Sequence, residues 1–184
     1  MKVTKAQAQE NRARIVETAA ALFRERGYDG VGVAELMAAA GFTHGGFYKH
    51  FRSKADLLAE AVASGISQRV DMSSDAGLTE FVGHYLSREH RDDRGAGCTM
   101  AALSGDAARQ PGNIKETFAQ GIERSLVAFE RDDVPRALMI DTFAHAIGAL
   151  VLSRACPDDS SLASEILEVC RKQILASLPT SDEQ

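Results

Sequence analysis

Between Thr43 and Lys54 the chain reads Thr-His-Gly-Gly-Phe-Tyr-Lys-His-Phe-Arg-Ser-Lys, its densest run of groups able to bind a polyanion. His44, Tyr48, Lys49 and His50 can hydrogen-bond phosphates or base edges, while Phe47 and Phe51 are placed to point inward. Gly45 and Gly46 each cost a helix about 1 kcal/mol relative to alanine. A short helix that gives up that much leaves room for something to approach its backbone. The chemistry implied is recognition of a phosphate backbone and of base edges, not bond making.

Two short helices must position these groups. Ala34–Ala40 carries Leu36, Met37 and Ala40 for an inward face, and Gly41 is suited to reverse the chain at a helix end. Thr43 offers a hydroxyl to cap a second helix over His44–His50. Two short helices joined by a tight turn containing glycine form a helix-turn-helix, whose second helix would lie in a major groove. A surface hairpin with a solvated polar face would share the helices but not the agreement of so many separate cues.

The segment Thr43–Lys54, preceded by Ala39-Ala-Gly41, resembles the recognition segment of TetR-family transcriptional regulators. The likeness extends upstream to Arg14–Tyr28, which is similar to the family's first helix, and covers about the first third of the chain in detail. At Gly32 this sequence departs from the family's usual Ser or Thr cap, and glycine there is only a few tenths of a kcal/mol worse. The resemblance implies an all-α protein of about nine helices, with a helix-turn-helix DNA-binding domain over 1–53 and a helical ligand-binding and dimerisation domain over 54–184. It also implies a homodimeric regulator, expected to be a repressor, that binds a palindromic operator in double-stranded DNA and is released by a small-molecule effector. Carried over residue by residue, Thr43, His44, Gly45, Gly46, Tyr48, Lys49, His50 and Lys54 are the expected DNA contacts. His44 and Tyr48 are expected to read bases, and Thr43, Lys49, His50 and Lys54 to clamp phosphates.

Composition fits this division. The chain has 184 residues, 45% hydrophobic, with no Trp and four prolines, and a net charge of −5. Residues 1–56 hold nine Lys or Arg against six Asp or Glu, whereas 57–184 hold twelve against twenty. Only the N-terminal part is suited to face a polyanion. No apolar run of about 18 residues and no signal-peptide pattern is seen, which points to a cytoplasmic protein without a membrane span. Cys98, Cys156 and Cys170 form neither a CxxC pair nor a zinc-ligand spacing, so no disulfide framework, metal or cofactor is expected.

Apolar spacing predicts a first helix over Ala6–Arg26, ended by Gly27, with Lys2, Lys5, Arg12 and Arg14 forming either a phosphate-contacting arm or an ordinary polar terminus. Ser53 is placed to cap a fourth helix carrying Leu57, Leu58, Ala61, Val62 and Ile66, followed by a polar break at Asp71–Gly77. A fifth helix is expected over Leu78–Glu89, a loop to Gly97, and a sixth helix over Cys98–Arg109. The seventh, over Asn113–Arg131, would place Ile114, Phe118, Ile122, Leu126 and Phe129 on one side, ending at Asp132-Asp133. The eighth, Pro135–Ala155, is apolar most of the way round and so should be buried on more than one side. A ninth, capped by Ser160 or Ser161, aligns Leu162, Ile166, Val169, Ile174 and Leu178.

By resemblance the last two helices pair with a second copy, and Phe143, Ala144, Ile147, Gly148, Val151, Ile166, Val169 and Ile174 are the candidate interface; burial within one chain is the alternative. Candidate ligand contacts are Tyr85, Cys98, Met100, Phe118, Phe143 and His145, with Arg154 nearby. Cys98, at a helix start downstream of Arg88, Arg91 and Arg94, is either a redox- or electrophile-sensing thiol or a small packed residue. No catalytic constellation is recognisable, so no enzyme is expected. A helical protein–protein adaptor would leave the recognition segment's glycines and basic groups unexplained.

Overall fold

A computed structural model describes residues 4–73, 77–129 and 134–179, without the side chains of 69–73. Among those residues every regular element is helical: α1 (Lys5–Arg26), α2 (Val33–Ala39), a 3₁₀ recognition helix (His44–Lys49), α3 (Lys54–Ser73), α4 (Leu78–Tyr85), α5 (Arg88–Asp92), α6 (Thr99–Ala108), α7 (Gly112–Ala128), α8 (Arg136–Ala155) and α9 (Ser161–Ser177). Lys2 and Asp132-Asp133 lie outside the described residues.

Local chemistry sets the boundaries that matter most. Thr4 Oγ1 accepts from the Gln7 N–H at 3.2 Å and starts α1. Gly27, at φ 73°, ends it with its N–H on the Phe23 carbonyl. Gly41, at φ 82°, makes the turn after α2, a backbone region that other residues rarely adopt. Ser53 Oγ accepts from the Asp56 N–H at 3.0 Å and caps α3. Leu57, Leu58, Ala61, Val62 and Ile66 then form a fully buried stripe along α3, each large side chain contributing on the order of 1.5–3 kcal/mol. α3 continues through Asp71 to Ser73, past the start of the expected break.

Two apolar cores result. One joins α1, α2, the recognition helix and α3 to Met100, Leu103 and Ala107 of α6 and Ile114 and Phe118 of α7. The other joins α4, α7, α8 and α9. The head's core thus runs without a gap into α6 and α7.

Several expectations are corrected. The recognition helix is 3₁₀, and Thr43 makes no side-chain cap; its carbonyl takes the Gly46 N–H at 2.9 Å instead. Two adjacent glycines in so short a segment favour the tighter i→i+3 pattern. The expected fifth helix ends at Tyr85, and a separate α5 occupies the expected loop because Ser87 Oγ caps the His90 N–H at 3.1 Å. On α7, Ile122 faces outward, 42% exposed, while Gly121 and Ser125 face in. α8 is buried where it meets its neighbouring helices, as expected, but Ile140, Val151 and Leu152 are exposed within the single chain. In α9 the buried line is Ala163, Leu167, Ile174 and Leu178, and Leu162 and Val169 point out. Ser160 precedes α9 without a side-chain cap. By length and composition alone α8 is apolar enough to cross a membrane, with mean hydropathy 1.3; here it packs against α5, α6, α7 and α9.

Candidate functional site

The recognition helix is held from below and open above. Phe47 and Phe51 are buried with ring centroids 5.6 Å apart, and Tyr48 stands edge-on to Phe47 at 5.3 Å. Burial of the two phenylalanines fixes the helix on α2 and α3 and leaves the alternate positions to solvent. Thr43, His44, Gly45, Tyr48 and Lys49 are exposed, Tyr48 at 71%. A Cβ at Gly45 would meet nothing within 4 Å, so the backbone there is open to close approach. One at Gly46 would touch Met37 Cε at 3.6 Å, so that glycine faces α2.

The remaining expected contacts are tied into the head. Lys54 Nζ donates to the Tyr28 carbonyl and lies 4.1 Å from the Tyr28 ring centroid; burial pulls its pKa down, with Asp29 and Asp106 opposing. His50 is half-buried. Desolvation, then the charges of Arg12 and Lys49, lowers its pKa from the usual imidazole value. Arg12 donates to the His50 carbonyl, pairs with Glu60 and lies over the Phe51 ring. Arg14 lies over Phe42, 4.6 Å from its centroid. Of the four expected arm residues, Lys5 and Arg14 are exposed, and Arg12 is a brace between helices.

The second site is a cavity of about 50 Å³ among α3, α4, α6, α7 and α8. Phe81 and Tyr85 of α4, Phe129 after α7 and Phe143 of α8 supply its aromatic wall; Gly65 and Ile66 close it on α3, and Cys98, Thr99 and Met100 on α6. Among the expected ligand residues, Tyr85, Cys98, Met100 and Phe143 line it. Phe118 is buried in the head-side core, and half-buried His145 is outside the lining. Ile147, an expected interface residue, lines the cavity with Phe143. Sequence reasoning missed Gly65, Ile66, Phe81, Thr99, Ser125, Phe129 and Ala146 as lining residues. Small residues along otherwise bulky stripes were the available signal of a void.

α6 links the cavity to the head. Thr99 Oγ1 accepts from Arg24 of α1 at 3.4 Å, and the Arg24 Nε donates to the Gly95 carbonyl at 2.6 Å. At the other end of α6, Asp106 accepts the Tyr28 N–H at 3.1 Å. The arginines upstream of Cys98 are engaged elsewhere. Arg91, 3% exposed, holds the Ser153 carbonyl and Asp92, Arg88 holds the Asp158 carbonyl, and Arg94 faces the Asp158 carboxylate. Cys98 Sγ accepts the Ala101 N–H at 3.5 Å. Arg154 donates to the His90 and Arg91 carbonyls.

A third surface is the outer side of α8 and α9. Ile140, Ala144, Val151 and Leu152 of α8 and Leu162 and Val169 of α9 are exposed, at helical spacing on each. Gly148 and Ile166 are half-buried beside them, and Ile174 is 2% exposed, inside the chain's own core.

Residues 15–61 match the model of the bacterial regulatory proteins, tetR family. Over 57 residues, 31% of this chain and 26% of the relative, the sequence is 42% identical to the HTH-type transcriptional regulator AcrR of Shigella flexneri. It is 36% identical to the HTH-type transcriptional regulator TtgR of Pseudomonas putida over 42% of this chain. The chain spans only 26% and 36% of the length of these two curated relatives. An uncharacterised HTH-type regulator of Mycobacterium tuberculosis is 28% identical over 91% of this chain and 96% of its own. In fold, the chain is similar to the reduced form of NemR from E. coli, with TM-score 0.73 and 18% identity over 94% of this chain and 99% of that one. Residues 15–61 thus carry the helix-turn-helix of the bacterial regulatory proteins, tetR family, and the whole chain is similar in fold to the all-helical NemR structure.

Proposed function

We propose that the chain is a homodimeric transcriptional repressor that binds a palindromic operator and releases it when a small molecule occupies the body cavity. The head is residues 1–53, the body 54–184, and the work is done on the chromosome in the cytoplasm. The observation that carries this reading is the recognition helix, anchored by Phe47 and Phe51 while Thr43, His44, Gly45, Tyr48 and Lys49 stand clear of the protein. His44 and Tyr48 are the base readers, and Thr43 and Lys49 the phosphate contacts; His50 and Lys54 act mainly by bracing the head. Two such helices read a palindrome only if two copies are paired, with recognition elements about 34 Å apart or a multiple of that. The exposed apolar strip of α8 and α9 supplies the pairing surface. Effector entry would press on Gly65 and Ile66 of α3 and on Thr99 of α6, both of which bear on the head, and so favour a different head separation.

The test is titration of the purified chain into DNA from upstream of its own gene at two salt concentrations. Specific binding should weaken about 5- to 100-fold in His44→Ala or Tyr48→Ala, and Lys49→Ala should lower the salt slope by about 0.9. Binding without sequence preference by a monomer would refute the proposal.

A second reading rests on Cys98 lying in the cavity wall. Its sulfur could add to an activated carbon–carbon double bond, forming an S–C bond while the electron pair moves onto the conjugated carbonyl and solvent returns a proton. The guanidiniums expected to support the thiolate are engaged on α5, α8 and Asp158, so reversible occupancy is the favoured reading. Cys98→Ser settles the matter: unchanged effector release rules out the thiol mechanism.

A further inference from the structure

We infer that the effector is an uncharged, apolar molecule of a single ring, and that its ionised analogues are excluded. This rests on the regulator reading only for its consequence on DNA; the ligand's class follows from the wall of the cavity. Among the described residues no Asp, Glu, Lys, Arg or His lines it. Phe81 lies 4.6 Å from Phe129 and 6.0 Å from Phe143, centroid to centroid, and Phe129 and Phe143 meet edge to face at 5.6 Å. Such a cluster offers ring faces and edges, the surfaces against which another ring packs well.

Three hydroxyls stand in the wall, those of Tyr85, Thr99 and Ser125, and none carries a charge. Ser125 Oγ donates to the Gly121 carbonyl at 3.0 Å, and Thr99 Oγ1 takes a hydrogen from Arg24 at 3.4 Å. Arg24 itself is engaged on the Gly95 carbonyl and stands behind Thr99, outside the lining. An ionised group entering this space would lose its water and find no counter-charge, whereas a neutral ring loses only unfavourable hydration. The size is restrictive too. A water needs on the order of 10–15 Å³, so a cavity of about 50 Å³ holds roughly four waters, which is the room of one six-membered ring.

The experiment measures dissociation constants of toluene, 4-methylphenol, benzoate and benzylammonium for the full chain near neutral pH, by ligand-observed NMR. The two neutral rings should bind on the order of 100-fold more tightly than either ion. Ala146→Leu, which fills the cavity, should abolish their binding. Nuclear Overhauser contacts from 4-methylphenol to the Met100 methyl, measured on the unmodified chain, place the ring in the cavity whether or not that variant folds. Equal binding of benzoate or benzylammonium, no binding of either neutral ring at millimolar concentration, or contacts elsewhere on the protein would each overturn the inference. Operator release is read separately. A chain that takes neutral rings in this cavity but never binds DNA would refute the regulator reading and uphold the ligand class.

Discussion

Where α7 crosses α3, Gly121 lies against Ile66, and a methyl built on that glycine would come within 2.5 Å of Ile66 Cδ1 and 3.3 Å of Cγ2. Comfortable carbon contacts are about 3.5–4.0 Å. Gly121→Ala therefore drives the end of Ile66 aside by about 1 Å, an overpacking of about 1–3 kcal/mol. The same substitution strengthens α7 by about 1 kcal/mol, so the single variant should be destabilised by about 0–2 kcal/mol. Ile66→Val removes Cδ1 and costs about 0.5–1.5 kcal/mol. In the double variant the new methyl meets only Cγ2 and Cγ1, at 3.3 and 3.5 Å, the clash is relieved, and the helix gain remains. The pair should thus be more stable than the sum of its singles by about 1–3 kcal/mol. Urea unfolding of all four proteins at one fixed concentration measures this, since pairing of subunits would otherwise shift the midpoint. A coupling within about 0.5 kcal/mol of zero would mean that α3 and α7 do not meet in this register.

Lys54→Met should destabilise the chain by about 1–2 kcal/mol through the lost contact with the Tyr28 carbonyl; an unchanged melt with a lower salt slope for DNA would instead make Lys54 a simple phosphate contact. Desolvation, followed by the charges of Arg12 and Lys49, holds the His50 pKa below 6.5 in the folded chain. The unfolded chain therefore binds more protons in that window. The stability from neutral His50 is complete above 6.5 and is lost as pH falls through the lowered folded value. Melting at about pH 7.5 and about pH 5.5 should show a larger acid loss for the parent than for His50→Gln, and equal losses would refute this. Leu152→Glu, at a side chain 60% exposed in the single chain, should leave the fold intact and yield monomers in sedimentation; a persistent dimer would place the pairing surface elsewhere.

What the sequence makes legible follows from what apolar spacing measures. In α3 the five residues read as inward are all buried, because a long amphipathic stripe admits one packing. The same rule misassigns Ile122, Leu162 and Val169, since periodicity marks an apolar face without saying which molecule covers it. α5 escapes because Arg-Glu-His-Arg-Asp has no apolar period; its inward residues are His90 and Arg91, the latter accommodated by the Ser153 carbonyl of a distant helix. The recognition segment was readable because glycines, aromatic anchors and basic groups coincide within a few residues. The cavity is a deficit of volume, recorded only by small residues at Gly65, Ser125 and Ala146, so its lining was read in part.

The hold of Arg91 on Ser153, and of Arg154 on His90 and Arg91, bears on the order in which the molecule assembles. Five residues are too few to sustain a helix alone; the Ser87 cap is local, but further groups that hold α5 lie 62 to 64 positions along the chain. α5 can therefore form only once α8 has been made and docked, and the 93–98 segment, which leads directly into the cavity wall, must wait for it. Most of the head's turns need no such late partner, with Thr4, Gly27, Gly41 and Ser53 acting within a few residues, whereas the Tyr28 N–H reaches on to Asp106 of α6. In a chain emerging from the ribosome, the 3₁₀ helix of the head would take its local shape early, and the cavity of the body would be closed among the last.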